Sequence, residues 1–256
     1  MRSLLTIPYR VYQLVVFVPL LVVVTIVTAL EVGIGCALGD GHFWGYYPGR
    51  WWARIIVRTL LLPVTVEGRE HLEPGQSYVF VANHQGAFDI FLIYGFLGRN
   101  FKWMMKHQIN KIPFVGFACR RSHQIMVDKR GVSKIKKTYD DARRILQQGY
   151  SVTVFPEGAR TFTGHMALFR KGAFALADEL QLPVVPLTIN GSFRVMPRQR
   201  DWHFVCWHPL RLTIHQPIYP VGQGTENVNA TLRQAYDSVM SALEPEFQGY
   251  VENPDQ

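Results

Sequence analysis

Hydrophobic and polar positions change their period twice along the chain. From Val11 to Leu30 they do not alternate at all: VYQLVVFVPLLVVVTIVTAL runs twenty residues without a charge. At about 1.5 Å per residue that length matches the ~30 Å hydrocarbon core of a bilayer. Arg2 and Arg10 precede the run as they would in a signal peptide, but no small-x-small cleavage site follows before Glu31 and Asp40, so the segment is expected to be retained. Next comes RWWARIIVRTLLL, with Arg50, Arg54 and Arg58 four residues apart and therefore on one helical face, amid Trp44, Tyr46, Tyr47, Trp51 and Trp52. A helix at the headgroup level uses that mixture of aromatics and arginines, whereas a core helix with a solvated arginine stripe is the alternative. Basic residues flank the Val11 to Leu30 run on both sides, so crossing the bilayer and dipping in to return both stay open.

After Pro63 the period shortens. VTVEG, SYVFVAN, FKWMM, HQIMVD, YSVTVFP, VVPLTIN and RLTIHQP read as strands. Between them, helices are predicted at 87–97, 112–120, 132–148, 172–180 and 228–243. In the third, Val132, Ile135, Tyr139, Ala142, Ile145 and Leu146 recur every three or four residues and predict the inward face. Such alternation predicts an α/β domain with a mostly parallel mixed sheet and helices on both faces, preceded by an N-terminal hydrophobic helical membrane motif. The division expected is 1–62 for the membrane-anchoring helices and 63–256 for the α/β domain. The aromatic, irregular stretch 193–209 is assigned no element.

Composition adds charge to this picture. The 48% hydrophobic content of 256 residues is enough for one sizeable core. The net charge of +8 is unevenly spread: Arg99 to Arg144 holds 13 Lys or Arg against three acids, while Gly222 to Gln256 holds six acids and one Arg. A basic middle suits phosphate groups or an anionic membrane face. No zinc-finger spacing, RNA- or DNA-reading motif or stacking platform accompanies it, so nucleic acid is not an expected partner. Cys36, Cys119 and Cys206 are scattered without metal-ligand spacing and read as ordinary thiols of a reducing compartment; no metal is expected.

Candidate chemistry sits where strand runs stop, the place where α/β sheets collect ligands. VFVANHQGAFDIF places His84 at a strand end and Asp89 in the first turn of the next helix, with Asn83 and Gly86 suited to the tight turn between them. A carboxylate on one imidazole nitrogen fixes the tautomer and frees the other to take a proton, but Asp89 would serve equally as a helix cap. VFPEGARTFTG offers Glu157, Gly158 and Arg160, a glycine-bearing loop with a guanidinium that can bind an oxyanion or form a plain surface turn. VDKR adds Lys129 and Arg130. In LPVVPLTIN two prolines bracket Val184 and Val185. Proline cannot donate to a ladder, so this strand is expected at an edge or at an irregularity, forming a groove wall.

Taken in order, NHQGAFD, VDKR, FPEGAR and LPVVP resemble the four motifs of the membrane-bound glycerolipid acyltransferases, most closely the 1-acylglycerol-3-phosphate acyltransferases, over 63–191. LFRKGAF matches the stretch after the third motif. Lys129 stands where the family commonly has Arg, and Ala159 where it has Thr. The resemblance implies a glycerol-3-phosphate acyltransferase-like fold. It implies His84 as general base with Asp89 as its partner and Gly86 as the turn. Glu157, Gly158 and Arg160 would bind the phosphorylated acceptor together with Lys129 or Arg130, and Val184, Val185 and Pro186 would line an acyl pocket. Lys106 or backbone amides near His84 would stabilise the oxyanion. The implied reaction moves an acyl chain from acyl-CoA or acyl-carrier protein to the sn-2 hydroxyl of lysophosphatidic acid. It would use no cofactor beyond the thioester co-substrate, at a membrane and with the site on the cytoplasmic face. No Gly-x-Ser-x-Gly elbow is present, which favours direct attack by the alcohol over an acyl-enzyme. Three other readings remain: a different lyso-lipid acceptor, a hydrolase in which water replaces the alcohol, and a non-catalytic protein that binds anionic membranes.

Overall fold

The structure, a computed structural model, describes residues 6–128, 130–199 and 203–252. Its centre is a seven-stranded sheet built from β1 (Val64–Glu67), β2 (Val79–Ala82), β3 (Phe101–Lys106), β4 (Ile125–Val127), β5 (Ser151–Val154), β7 (Val184–Asn190) and β8 (Leu210–Ile214), in the spatial order β1-β8-β7-β2-β5-β3-β4. Neighbours run parallel except β7 and β8, which are antiparallel. A separate small ladder joins β6 (Met166–Ala167) to β9 (Tyr250–Val251); both are two residues long, too short for any period to announce them.

Burial on both faces explains the unbroken apolar runs of the central strands. Along β2, Phe80 and Ala82 face one core with Leu92, Ile93, Val185 and Leu187, whereas Val79 and Val81 face the other with Val152, Phe174, Val184 and Val239. The first core is closed by α4 (Tyr47–Thr59) and α5 (Phe88–Phe96), the second by α7 (Val132–Gln147), α8 (Gly172–Glu179) and α10 (Thr225–Ser241). The inward face of α7 follows the predicted spacing from Tyr139 onward, with Ala142, Ile145 and Leu146 buried, but Ile135, in the first turn of the helix, is exposed.

The expectation for LPVVPLTIN is met by its second alternative. β7 is a central strand, fully buried, so the edge placement is corrected. Its ladder with β8 runs from Asn190↔Arg211 to Leu187↔Ile214 and resumes at the bridge Val184↔Ile218. Three steps on β7 thus face four on the partner, and Pro186, which has no N–H to give, sits in the gap.

The N-terminal helix begins earlier and ends later than the uncharged run. α1 (Thr6–Tyr12) continues through a π-helical turn at Gln13–Phe17 into α2 (Val18–Leu38), giving one helix long and apolar enough to cross a bilayer. It has two unlike faces. Ile7, Val11, Val15, Val22, Ile34 and Leu38 are exposed, while Gln13, Phe17, Ala29, Val32 and Gly33 are buried against the rest of the chain. The contacts run its whole length. Tyr9 donates to Leu60 O at 2.8 Å, Gln13 donates to Val205 O at 2.8 Å and accepts from Val205 N at 2.9 Å, and Trp52 Nε1 donates to Thr25 Oγ1 at 3.0 Å. Near the far end, Gly33 lets α6 (Val115–Arg121) approach so closely that a β-carbon there would stand 2.0 Å from the Phe117 ring. Two short helices complete the fold, α3 (Gly41–Trp44) before α4 and α9 (Ser192–Val195) after β7. Of the arginines of α4, Arg54 turns inward to donate to Gly95 O of α5 at 2.7 Å, so the predicted stripe is not uniformly solvated.

Candidate active site

Three parallel strands, β2, β5 and β7, end at the same edge of the sheet and deliver the candidate residues there. Asn83, the first residue past β2, is buried and closes a two-way amide bridge to β7: its Nδ2 donates to Ile189 O at 2.9 Å and its Oδ1 accepts from Ile189 N at 2.7 Å. That clamp fixes the start of the turn that carries His84. Gly86 follows where no side chain fits, since a β-carbon would lie 2.4 Å from the Ser192 carbonyl oxygen and hydroxyl. The chain then enters α5, and Asp89 in its first turn folds back.

Asp89 is fully buried, and its Oδ2 accepts from Gly86 N at 2.9 Å and lies 2.7 Å from His84 Nδ1. A carboxylate oxygen accepts, so Nδ1 carries the proton and Nε2 presents its lone pair. One carboxylate therefore both closes the turn and orients the base, and the cap and catalytic-partner readings of Asp89 describe the same contact. The ring stacks on Phe155 with centroids 3.9 Å apart and planes at 9°, and the side chain keeps 16% of its surface open. Imidazole rotation is blocked on one face while the reactive nitrogen stays accessible.

Phe155 comes from the strand end of β5, where FPEG makes a turn: Gly158 N donates to Phe155 O at 3.0 Å, with Pro156 at the second position and Gly158 at φ 85°. Glu157 points inward. Its Oε1 accepts from His84 N at 2.6 Å and its Oε2 from Ala167 N at 2.7 Å, and only 1% of the residue is exposed. Burial raises its pKa to about 8, helped by the nearby charge of Asp89 and opposed by the two backbone donors. Glu157 was expected among the acceptor's ligands; the structure corrects this, because both oxygens are spent on backbone N–H groups and tie the His84 turn to β6. Arg160 is half-buried beside the pair. Burial lowers its pKa, Asp89 acts against this and Arg198 adds to it, and Arg198 also donates to Arg160 O at 2.7 Å. A guanidinium stays cationic through such shifts.

The remaining candidates separate. Lys106 ends β3 with an exposed side chain. Arg130, past β4, is 73% exposed and grips Asp128 through two bonds, Nε to Oδ1 at 2.9 Å and Nη2 to Oδ2 at 2.8 Å. This pairing holds the Asp128 carboxyl far below the usual carboxylate range. Lys129 lies outside the described residues. Val184, Val185 and Pro186 are enclosed between the two cores, so they are core residues and not an open acyl-pocket wall; a central strand covered on both faces has no free side. Sequence reasoning missed the Phe155 stack, the Asn83 clamp and Arg198. Phe155 stood inside a quoted motif without a role, Asn83 was read only as a turn residue with no partner on another strand, and Arg198 lay in the stretch given no element. Among the described residues no three His, Cys, Asp or Glu side chains gather as a metal site.

An α/β sheet with a buried carboxylate orienting an accessible histidine at a strand end defines a site for base-assisted group transfer. Residues 63–190, half of the chain, match the Acyltransferase family model, and the chain belongs to that family. It is 33% identical over 189 residues to a 1-acyl-sn-glycerol-3-phosphate acyltransferase of Chlamydomonas reinhardtii, covering 73% of this chain and 54% of that protein. It is 35% identical over 181 residues to human 1-acyl-sn-glycerol-3-phosphate acyltransferase alpha, covering 70% and 63% respectively. The chain thus spans about half to two-thirds of the length of these curated relatives. Among solved structures it resembles that of the 1-acyl-sn-glycerophosphate (LPA) acyltransferase PlsC from Thermotoga maritima, with a TM-score of 0.76, 25% identity, and coverage of 93% of this chain and 95% of that one.

Proposed function

We propose that the protein transfers an acyl chain from a coenzyme A or acyl-carrier-protein thioester to the sn-2 hydroxyl of lysophosphatidic acid, producing phosphatidic acid. The observation that carries this reading is the His84 ring, held on its Nδ1 side by a buried Asp89 and open on its Nε2 side. The names of its relatives support the acceptor. In the reaction Nε2 removes the hydroxyl proton as the alcohol oxygen attacks the thioester carbonyl, and Asp89 steadies the imidazolium that forms. The tetrahedral intermediate collapses by expelling the thiolate, which takes the proton back from the imidazolium. No step calls for a metal or for a cofactor beyond the thioester. Arg160, beside this pair, is the cation we assign to the acceptor's phosphate. Arg130 is engaged by Asp128 and would first have to let go.

The N-terminal helix supplies the lipid side of the reaction. It touches the domain at both Gln13 and Gly33, so we propose that it lies along the domain with its exposed stripe sunk in one leaflet, rather than crossing as a free-standing span. That seating keeps the site on the cytoplasmic face, where a water-soluble thioester arrives while the lyso-lipid enters from the bilayer.

Acylation of a panel of lyso-lipids with labelled acyl-CoA and acyl-carrier protein tests the acceptor. Lysophosphatidic acid should be preferred to lysophosphatidylcholine, whose headgroup adds a bulky cation. Loss of one charge-assisted bond in Arg160→Ala should weaken acceptor use by about ten- to a hundred-fold. Equal use of both lipids, or an Arg160→Ala effect confined to the thioester curve, would remove the acceptor assignment.

A further inference from the structure

We propose that the basic groove along the outer edge of β4 holds the nucleotide end of a coenzyme A donor, with its 3′-phosphate and diphosphate. This rests on the acyl-transfer reading above and adds to it a site for the carrier. β4 is the last strand of the sheet, and the groove beside it has a volume of about 550 Å³, within the range that encloses a ligand of nucleotide size. His107, Arg120, His123, Lys134, Lys137 and Arg144 line it.

Two acids also border the groove, and both are already neutralised. Asp128 is held by Arg130, and Asp141 by Arg144 at 2.6 Å and Lys137 at 3.4 Å. Among the described residues this leaves Lys134 on α7 and Arg120 on α6 with no acidic partner, Arg120 Nη1 donating only to the Asn110 carbonyl oxygen at 3.2 Å. Two cations without acidic partners, carried by different helices that line one concave surface, suit an anion with separated charges, as the 3′-phosphate and diphosphate of coenzyme A are. A concave site of this size favours a nucleotide over the broad, flat contact that a protein carrier needs.

The distance to the base fits as well. His107 follows β3 and Asp128 follows β4, at the sheet edge where His84 follows β2. Passing from β2 across β5 and β3 to β4 takes three strand spacings, about 14 Å. The pantetheine arm, with its two amides, is about as long as four extended residues, or roughly 13–14 Å. From the His107 and Asp128 end of the groove, an extended pantetheine arm spans a lateral distance of this order toward His84.

The test combines direct binding with kinetics, using the full chain, the double variant Lys134→Glu with Arg120→Glu, and the milder Lys134→Gln. Calorimetry with adenosine 3′,5′-bisphosphate should show binding to the unaltered protein, weakened about ten-fold or more in the double variant and less in Lys134→Gln. The KM for acyl-CoA should rise by a similar factor. The KM for lysophosphatidic acid and the rate with an acyl-N-acetylcysteamine thioester, which lacks the nucleotide, should stay unchanged. An unaltered acyl-CoA curve in a double variant that melts like the parent overturns the proposal. A shift in the acyl-carrier-protein curve alone overturns it in favour of a protein-docking surface, and a shift in the lyso-lipid curve alone in favour of the acceptor's phosphate. Bisphosphate binding as expected, without transfer from any thioester by the unaltered protein, leaves the groove standing and fails the acyl-transfer reading instead.

Discussion

A single side chain, Glu157, shows how much of the site is support. Both its oxygens accept backbone N–H groups, so the residue that sequence comparison places among substrate ligands acts as a brace for the turn that carries His84. Its raised pKa has a sign that can be checked. Unfolded, Glu157 ionises near its ordinary 4.5; folded, it holds its proton to about 8. Between those values the folded state binds more protons than the unfolded one. The stability this group contributes is therefore greatest below about 4.5, falls as pH rises, and levels off above about 8, at a rate of up to ~1.4 kcal/mol per pH unit. Glu157→Gln removes that dependence. It also sets an amide NH₂ against one of the two backbone donors, so the variant should melt below the parent at every pH. Melting curves from pH 5 to 8 should show the gap between parent and variant narrowing with rising pH; a gap that is constant or widens would show that Glu157 is ionised throughout.

Elements, more than residues, were legible in the sequence. All seven strands of the central sheet were read, because buried strands are apolar runs bounded by turn residues and parallel pairing leaves both faces apolar. His84 and Asp89 were legible too, since their spacing across a strand end and a first helical turn is local. What the sequence withheld depends on partners far along the chain. β7 is central because it pairs with β2 and β8, and the β8 detour at 215–217 that accommodates Pro186 there is recorded by no local pattern. Of the unassigned stretch, the described residues 193–199 and 203–209 gain their place from α9, from Cys206 N donating to Val195 O, and from Gln13, which is 192 residues away from Val205 in sequence. Gln13→Leu tests that last link. It leaves the Val205 N–H and carbonyl without their partner in a buried position, at a cost of about 1–3 kcal/mol each. We expect a lower melting temperature and faster proteolysis within 203–209. Unchanged melting would mean that the helix is not fastened to this segment.

At the scale of the whole molecule, the N-terminal helix is long and apolar enough to cross a bilayer. Its buried face is fastened to the domain, and its exposed stripe has no protein partner among the described residues. Placing charge on the stripe should therefore release the protein from lipid without unfolding it. Val15→Asp combined with Val22→Asp costs several kcal/mol in a hydrocarbon setting and little in water. The variant should stay in the soluble fraction when vesicles are floated, with a melting temperature close to the parent's; full retention on vesicles would show that other surfaces carry the attachment. Fold and brace both position one histidine, and its removal tests the account most directly. Purified protein and its His84→Ala variant are compared in lipid nanodiscs for conversion of lysophosphatidic acid to phosphatidic acid with a labelled acyl thioester, alongside their melting curves. The account predicts that His84→Ala melts within a few degrees of the parent and loses on the order of 10² to 10⁴ in turnover. Near-parental turnover by the variant, or absence of phosphatidic acid from the parent, would contradict it.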